Sequence, residues 1–274
     1  MIAPAAPHPN QIAERLTGRA YTSWSAISCY CACPLRYEFR YVQNLPEPTV
    51  SAALAFGGAF HRACEHQYRE LLEGRPAPVL DALMTAYNGA WAEHDGKAIQ
   101  YGKDDDRSTL DDLAGRMLGA FQASAVANPP GTIIGIEEEL TGELVPGVPD
   151  LLARVDLLVD AGDSLVITDL KTARSRWSAE QVRESAGQLL LYHELAQPMA
   201  DGRPIRLQFA VATKLKSPDV HVYQVEAEPQ QIDRMKRIVD RVWEGIERQI
   251  FFPSPSAMNC PTCPYRDECC EWIG

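Results

Sequence analysis

Two apolar, β-branched runs, LLARVDLLVD at 151–160 and SLVITDLK at 164–171, are separated only by Ala161-Gly162-Asp163. A connection that short lets the two runs pair only as antiparallel neighbours, so the stretch predicts a hairpin. Pairing about the turn brings Asp156 and Asp169 to nearly the same level, away from the turn. Side chains alternate along a strand, so Asp169 and Lys171 share a face while Leu170 points to the other. Two acids and one amine therefore converge on one patch.

Carboxylates so placed suit one or two hard cations, which bind through oxygen and keep coordination sites for water and phosphate. A cation held there lowers the pKa of its water and neutralises charge on a phosphodiester. Lys171 is placed to position or help deprotonate the attacking water, or to stabilise charge in the transition state. The backbone carbonyl of Leu170 is a further candidate ligand.

The rest of the chain supplies a scaffold for such a hairpin. Ser23 or Ser25 caps a short helix through Ile27 and Tyr30 toward Cys33-Pro34. Gly57-Gly58 precedes the helical pattern AFHRACEHQYRELLEG, and residues 78–97 and 105–127 read as two more helices. After Pro129-Pro130-Gly131 the character changes, and TIIGIEEEL joins the two hairpin runs as sheet. A helix over SAEQVRESAGQLLLYHELAQ, strands in IRLQFAVATKL and DVHVYQVEA, and a helix from about Pro229 to Gln249 follow. Pro253, Pro255 and Pro261 break the tail into loop. The pattern is one α/β core with a helical insertion and a small C-terminal appendage.

A chain of 274 residues with 46% hydrophobic content can bury a sizeable core. It has no apolar run of the ~18 residues that a membrane span requires. Its N terminus lacks the basic start and apolar stretch of a signal peptide, so a cytoplasmic protein with a loose tail over 1–22 is expected. The net charge of −11 argues against a protein that coats nucleic acid non-specifically. It leaves room for a local basic strip, with Arg174, Arg176, Arg183, Arg203, Arg206, Lys214 and Lys216 as candidates.

Eight cysteines in a chain of this size, gathered toward its two ends, point to metal rather than disulfides. Cys260, Cys263 and Cys269 have the spacing C-x2-C-x5-C, which can turn three thiolates toward one soft metal centre. Three ligands need a fourth. Cys64, in the helix after Gly57-Gly58, reads as a core thiol.

Taken together these residues resemble the PD-(D/E)XK nuclease superfamily, specifically its RecB/AddB-like branch, which includes CRISPR-associated nucleases that process DNA ends. The family's Asp and following D/E-x-K are matched by Asp156 and Asp169-Leu170-Lys171. The branch's Gly-x-x-x-His is matched by Gly57-Gly58-Ala59-Phe60-His61, and its Gln-x-x-x-Tyr by Gln188-Leu189-Leu190-Leu191-Tyr192. The family's Pro-Asp pair is missing at Asp156, which follows Val155, and Pro149-Asp150 makes Asp150 the fallback. Of Glu137, Glu138 and Glu139 none can be singled out, and a solvent-facing role is preferred.

The resemblance implies a restriction-endonuclease-like central mixed sheet flanked by helices over 23–252, with a helical part at about 57–128 and a catalytic core at about 131–226. His61, Asp156 and Asp169 would be metal ligands, and Gln188 and Tyr192, facing one way at i, i+4, would complete the site beside Lys171. Residues 253–274 would be a cysteine loop closing a [4Fe–4S] cluster on Cys33, Cys260, Cys263 and Cys269. Zinc is the alternative metal, and Cys29 and Cys31 are alternative upstream ligands. The activity implied is cleavage of DNA with Mg2+ or Mn2+, as an exonuclease or end-processing enzyme on single strands in recombination, repair or phage DNA metabolism. A CRISPR-adaptation nuclease working with partner proteins and a non-catalytic DNA-binding subunit are the alternatives. No G-x-x-x-x-G-K-[ST] motif occurs, which implies a stand-alone nuclease or one that borrows a helicase or recombination partner.

Overall fold

The computed structural model describes residues 7–273. In chain order, helix α1 (Pro9–Thr17) and a two-residue strand β1 (Thr22–Ser23) lead into α2 (Trp24–Ala32) and α3 (Pro34–Tyr37), which runs on as a π-helical turn over Glu38–Val42. Strand β2 (Thr49–Ser51), helices α4 (Ala52–Leu72) and α5 (Leu80–Ala92), strand β3 (Ala98–Gln100) and helix α6 (Arg107–Gln122) make up the front half. Then come β4 (Thr132–Gly142), β5 (Leu151–Asp160), β6 (Leu165–Ala173), α7 (Ala179–Ser185) and α8 (Gly187–Ala200). Strands β7 (Ile205–Thr213) and β8 (Val220–Val225) and helices α9 (Pro229–Glu247) and α10 (Arg266–Glu271) complete the chain.

The sheet is central and mixed, as expected, in the order β1-β5-β6-β7-β8 with β4 also paired to β5. Strands β5 and β6 are antiparallel, β6 and β7 parallel, β7 and β8 antiparallel. A parallel neighbour needs a crossover, and α7 with α8 supplies it between β6 and β7.

Three local expectations are revised. Within the expected tail 1–22, Pro9–Thr17 is a helix whose first turn is capped by His8, with the Asn10 N–H donating to its Nδ1 at 3.2 Å; residues 1–6 lie outside the described residues. Gly57-Gly58 does not precede a helix but lies inside α4, which starts at Ala52 under a Ser51 cap. A Cβ at Gly57 would meet Thr172 Oγ1 at 3.6 Å, an ordinary van der Waals contact, so α4 passes beside β6 there. The long helix expected over 178–197 is broken at Ala186 into α7 and α8.

The chain divides into two compact units. One contains the residues up to Pro48, Glu139–Ala153 and those from Glu228 on; the other contains Thr49–Glu138 and Arg154–Ala227. In the second, α4, α5 and α6 bury Phe56, Phe60, Tyr68, Tyr87, Met117 and Phe121 against Leu157, Leu170 and Ala210 of the sheet. Phe121 meets Phe60 and Tyr68 edge-on, at centroid distances of 6.4 and 5.8 Å. Removing a ring from such packing leaves a cavity, so Phe121→Ala is expected to cost about 3–5 kcal/mol, read as a lowered denaturant midpoint. In the first unit, α9 buries Ile232, Val239, Val242, Trp243 and Ile246. There Leu35, Phe39 and Tyr265 form a separate small cluster. Among the described residues no helix is long and apolar enough to cross a membrane.

Candidate active site

The β5–β6 hairpin has the register Leu157 opposite Thr168 through Asp160 opposite Leu165. Continued by one residue, it sets Asp156 opposite Asp169, as the turn length predicts. At that point a side chain takes over from the backbone ladder: the Leu170 N–H donates to Asp156 Oδ2 at 2.7 Å. A residue's N–H and C=O leave a strand on the same side, so the Leu170 carbonyl also faces the β5 side, beside the Asp156 carboxylate. The Leu170 side chain lies in the core under α4. By alternation Asp169 and Lys171 project from the opposite face of β6.

The other expected site residues gather around this end of the hairpin. From α4, His61 brings its Nδ1 to 3.6 Å from Asp156 Oδ2. Lys171 Nζ lies 2.6 Å from Asp169 Oδ2, a close ionic contact without the alignment of a good hydrogen bond. The same amine donates to Gln188 Oε1 at 3.3 Å, and Gln188 Nε2 donates to the Tyr192 hydroxyl at 2.7 Å. A continuous polar chain thus runs from Asp169 through Lys171 and Gln188 to Tyr192. Its continuity depends on α8, whose one-turn spacing puts Gln188 and Tyr192 on one side while Leu189, Leu190 and Leu191 are buried.

Burial dominates the electrostatics. It pushes the Asp156 carboxyl up to about 6 against the pull of Lys171 and of the Leu170 N–H, and Glu65 adds to the rise. Burial likewise raises Asp169 to about 6, with Lys171 opposing and Asp156 reinforcing. Burial, with the Lys171 charge, lowers His61 to about 4, which keeps the ring neutral and a lone pair available. Tyr192 is pushed upward by burial, so it stays a neutral phenol.

Two acids beyond the expected set belong to this neighbourhood. Glu65, one turn after His61, is 6% exposed and held by Arg62 and Arg69, each with a 2.7 Å hydrogen bond. Glu137 is raised to about 7 by burial and by the charges of Asp156 and Glu65. The solvent-facing reading is therefore corrected for Glu137. The device is a break in strand alternation: Glu137 has φ 51°, and consecutive Gly135 and Ile136 are both buried. Such a break re-aims one side chain of a strand, and period-two patterning carries no sign of it. The fallback Asp150 is engaged elsewhere, with its Oδ2 accepting from Asn10 Nδ2 and its N–H donating to Asn10 Oδ1, both at 2.9 Å. The expected basic strip is partly neutralised, since Arg203 pairs with Asp160 at 2.7 Å and Arg206 with Asp163 at 3.2 Å.

The donor chemistry fits a hard divalent cation: two buried carboxylates of raised pKa carry more negative charge than one lysine offsets, next to a neutral imidazole. Among the described residues, however, no three His, Cys, Asp or Glu side chains are gathered closely enough to hold an ion. The physical reason at the hairpin is that Lys171 engages Asp169 while the Leu170 N–H engages Asp156.

All eight cysteines are free thiols. Burial raises the Cys269 thiol, and the nearby thiols of Cys33, Cys263, Cys270 and Cys260 raise it further, so the C-x2-C-x5-C loop and Cys33 are neighbours. Cys33, Cys263 and Cys269 pack on the Leu35, Phe39 and Tyr265 cluster. The N–H groups of Ser254 and Ser256 donate to Cys33 Sγ and Cys260 Sγ at 3.4 and 3.2 Å. Cys31 is set apart from this group, lining a groove with Arg234 and Phe252.

The sequence profile of the PD-(D/E)XK nuclease superfamily matches residues 21–270, and the chain belongs to that superfamily. The crystal structure of a proposed exonuclease from Eubacterium rectale shares the fold, with a TM-score of 0.59 and 15% identity over 99% of this chain and 93% of that one. A second solved structure, SSO0001, has 15% identity over 82% of this chain and 87% of its own, but a TM-score of only 0.35, too low to indicate a common fold. No curated protein sequence matches the chain significantly.

Proposed function

We propose that the protein is a divalent-metal-dependent deoxyribonuclease that trims or degrades DNA from free single-stranded ends. The observation that carries this reading is the meeting of two polar sets at one end of the hairpin, the His61–Asp156 pair and the chain Asp169–Lys171–Gln188–Tyr192. His61, Asp156, Asp169 and the Leu170 carbonyl would hold Mg2+ or Mn2+, which supplies a water of lowered pKa and a counter-charge for the scissile phosphate. Lys171 is oriented from one side by Asp169 and from the other by Gln188, so its ammonium can hold the attacking water or the developing charge. Tyr192, a neutral phenol, fixes the Gln188 amide and so keeps its oxygen turned to Lys171.

Within the superfamily we place the protein in the RecB/AddB-like branch, with residues 23–252 as nuclease domain and 253–274 as a loop closing a [4Fe–4S] cluster on Cys33, Cys260, Cys263 and Cys269. What supports this reading is that Cys33, Cys260 and Cys263 all act on the Cys269 thiol and that backbone N–H groups donate to Cys33 and Cys260, although among the described residues no three thiols are gathered closely enough to hold an ion as they stand. Anaerobically purified protein is expected to absorb near 400 nm and to contain iron and sulfide. Cys263→Ser is expected to lose that absorbance, whereas stoichiometric zinc without iron would replace the cluster by a zinc site.

The test of the nuclease reading is degradation of end-labelled linear single strands compared with closed circles of the same sequence, with Mg2+, Mn2+ or EDTA. Metal-dependent loss of linear DNA with circles intact is the expected result. Equal cutting of circles would make the enzyme an endonuclease, and no cleavage under any metal would sink the enzymatic reading.

A further inference from the structure

The unit that contains α9 carries an open groove of about 540 Å³ that the candidate active site does not use. Its walls join Arg234, Arg237 and Arg241 of α9 to Tyr30, Pro34 and Phe252. The arginines lie at i, i+3 and i+7 and so share one helix face. Arg241 is engaged by Glu244 at 2.6 Å and by Asp240 at 3.9 Å. Among the described residues Arg234 and Arg237 have no carboxylate at ion-pair distance. Two unneutralised guanidiniums on one face are notable in a chain of net charge −11.

The opposite wall is aromatic and fixed. Tyr30 donates its hydroxyl to the Ile250 carbonyl at 2.8 Å and packs edge-on to Tyr37 and Phe251. It lies so close to α9 that a Cβ at Gly245 would run into its hydroxyl, which gives that glycine its reason. Phe252 next to it is 49% exposed, a large apolar ring left in water beside cationic side chains. Guanidiniums that line one groove with half-exposed aromatic rings form the two-part surface that single strands recognise: phosphates on the arginines, unpaired bases on the rings. A duplex presents the phosphates but keeps its bases stacked and paired.

We infer that this groove is a second contact site for single-stranded DNA, in which Arg234 and Arg237 bind successive phosphates and Phe252, beside Tyr30, takes a stacked base. The choice of DNA as the strand rests on the nuclease reading; the groove's geometry does not.

The test measures binding apart from cleavage. Full-length protein carrying Asp169→Asn, in EDTA, is titrated against fluorescein-labelled dT20 by anisotropy between 50 and 200 mM salt. Arg234→Ala with Arg237→Ala is expected to weaken binding about tenfold or more and to reduce the slope of log K against log salt by about 1.4, near 0.7 for each lost phosphate contact. Phe252→Ala is expected to weaken binding roughly 5- to 100-fold with the slope unchanged, and Phe252→Tyr to restore it. Unlabelled duplex of equal length should compete poorly. All three positions are exposed, so thermal unfolding that matches the parent shows the variants folded. Parental affinity in both variants overturns the site, and so does equal weakening for duplex or displacement of the strand by an acidic peptide at lower concentration than by dT20. Metal-dependent cleavage by the otherwise unaltered protein is scored separately: cleavage with unaffected binding in the variants overturns the groove alone, and binding lost in the variants without any cleavage overturns the nuclease reading alone.

Discussion

Lys171→Ala is expected to lower metal-dependent cleavage of end-labelled DNA by about 10²–10⁴-fold, the range for removing a positioned proton-transfer group or charge-stabilising donor. Among the described residues the lysine is the cation paired with Asp169, and it is held there by Gln188. Its loss should therefore fall on the rate of the chemical step, with DNA affinity in EDTA little changed. It should also leave the buried Asp169 carboxylate without its partner, so the metal-free variant should melt lower than the parent and saturating Mn2+ should recover much of the difference. Gln188→Ala, which removes the support rather than the amine, should lower the rate less. Cleavage by Lys171→Ala at the parental rate would remove this residue from the mechanism.

Asp156→Asn is expected to abolish the response to divalent metal while leaving the metal-free protein at least as stable as the parent at pH 7.5. Asp156 and Asp169 titrate near 6 in the fold, above the ordinary carboxylate value of 3.8. Groups so raised favour folding most below pH 4, and that contribution is lost as pH rises through about 6. Above that pH Lys171 and the Leu170 N–H compensate only part of the cost of burying the two charges, and an asparagine that still accepts the Leu170 N–H should relieve up to about 1–3 kcal/mol of it. His61, lowered to about 4, acts in the other sense, since its contribution is present above 6.5 and lost as pH falls toward 4. The two trends offset in the parent, so the informative quantity is the difference between parent and Asp156→Asn at each pH. With metal at about a hundred times its dissociation constant the parent should gain about 2.7 kcal/mol. That gain should fade by pH 5 as protons compete for the same oxygens. Melting curves with and without Mn2+ from pH 5 to 8 measure both effects, and an equal Mn2+ shift in the two proteins would place the ion elsewhere.

Local rules read the hairpin well because its constraints are local. The short connection between Asp160 and Leu165 sets the register, and period-two alternation sets the faces, so Asp156, Asp169 and Lys171 follow from spacing alone. The one-turn spacing on α8 does the same for Gln188 and Tyr192. The start of α4 was less legible. Gly57-Gly58 resembles a break in one dimension, but both glycines lie inside the helix, with Gly57 beside Thr172 of β6. Glu137 was legible only as one of three adjacent acids, since a positive φ at a glutamate has no sequence signature. Asp150, the fallback with the Pro-Asp match, has its side chain in a link with Asn10.

The sequence by itself therefore determined the superfamily, the hairpin with its two acids and amine, and the order of the motifs around it, because each rests on spacing within one strand or one helix. Tertiary structure decided which distant groups meet them: His61 against Asp156, Glu65 and Glu137 around the carboxylates, and Cys33 beside the C-terminal thiols. It also decided their protonation, since values near 6 and 4 arise from burial, and burial is a property of the packed chain rather than of any residue in it.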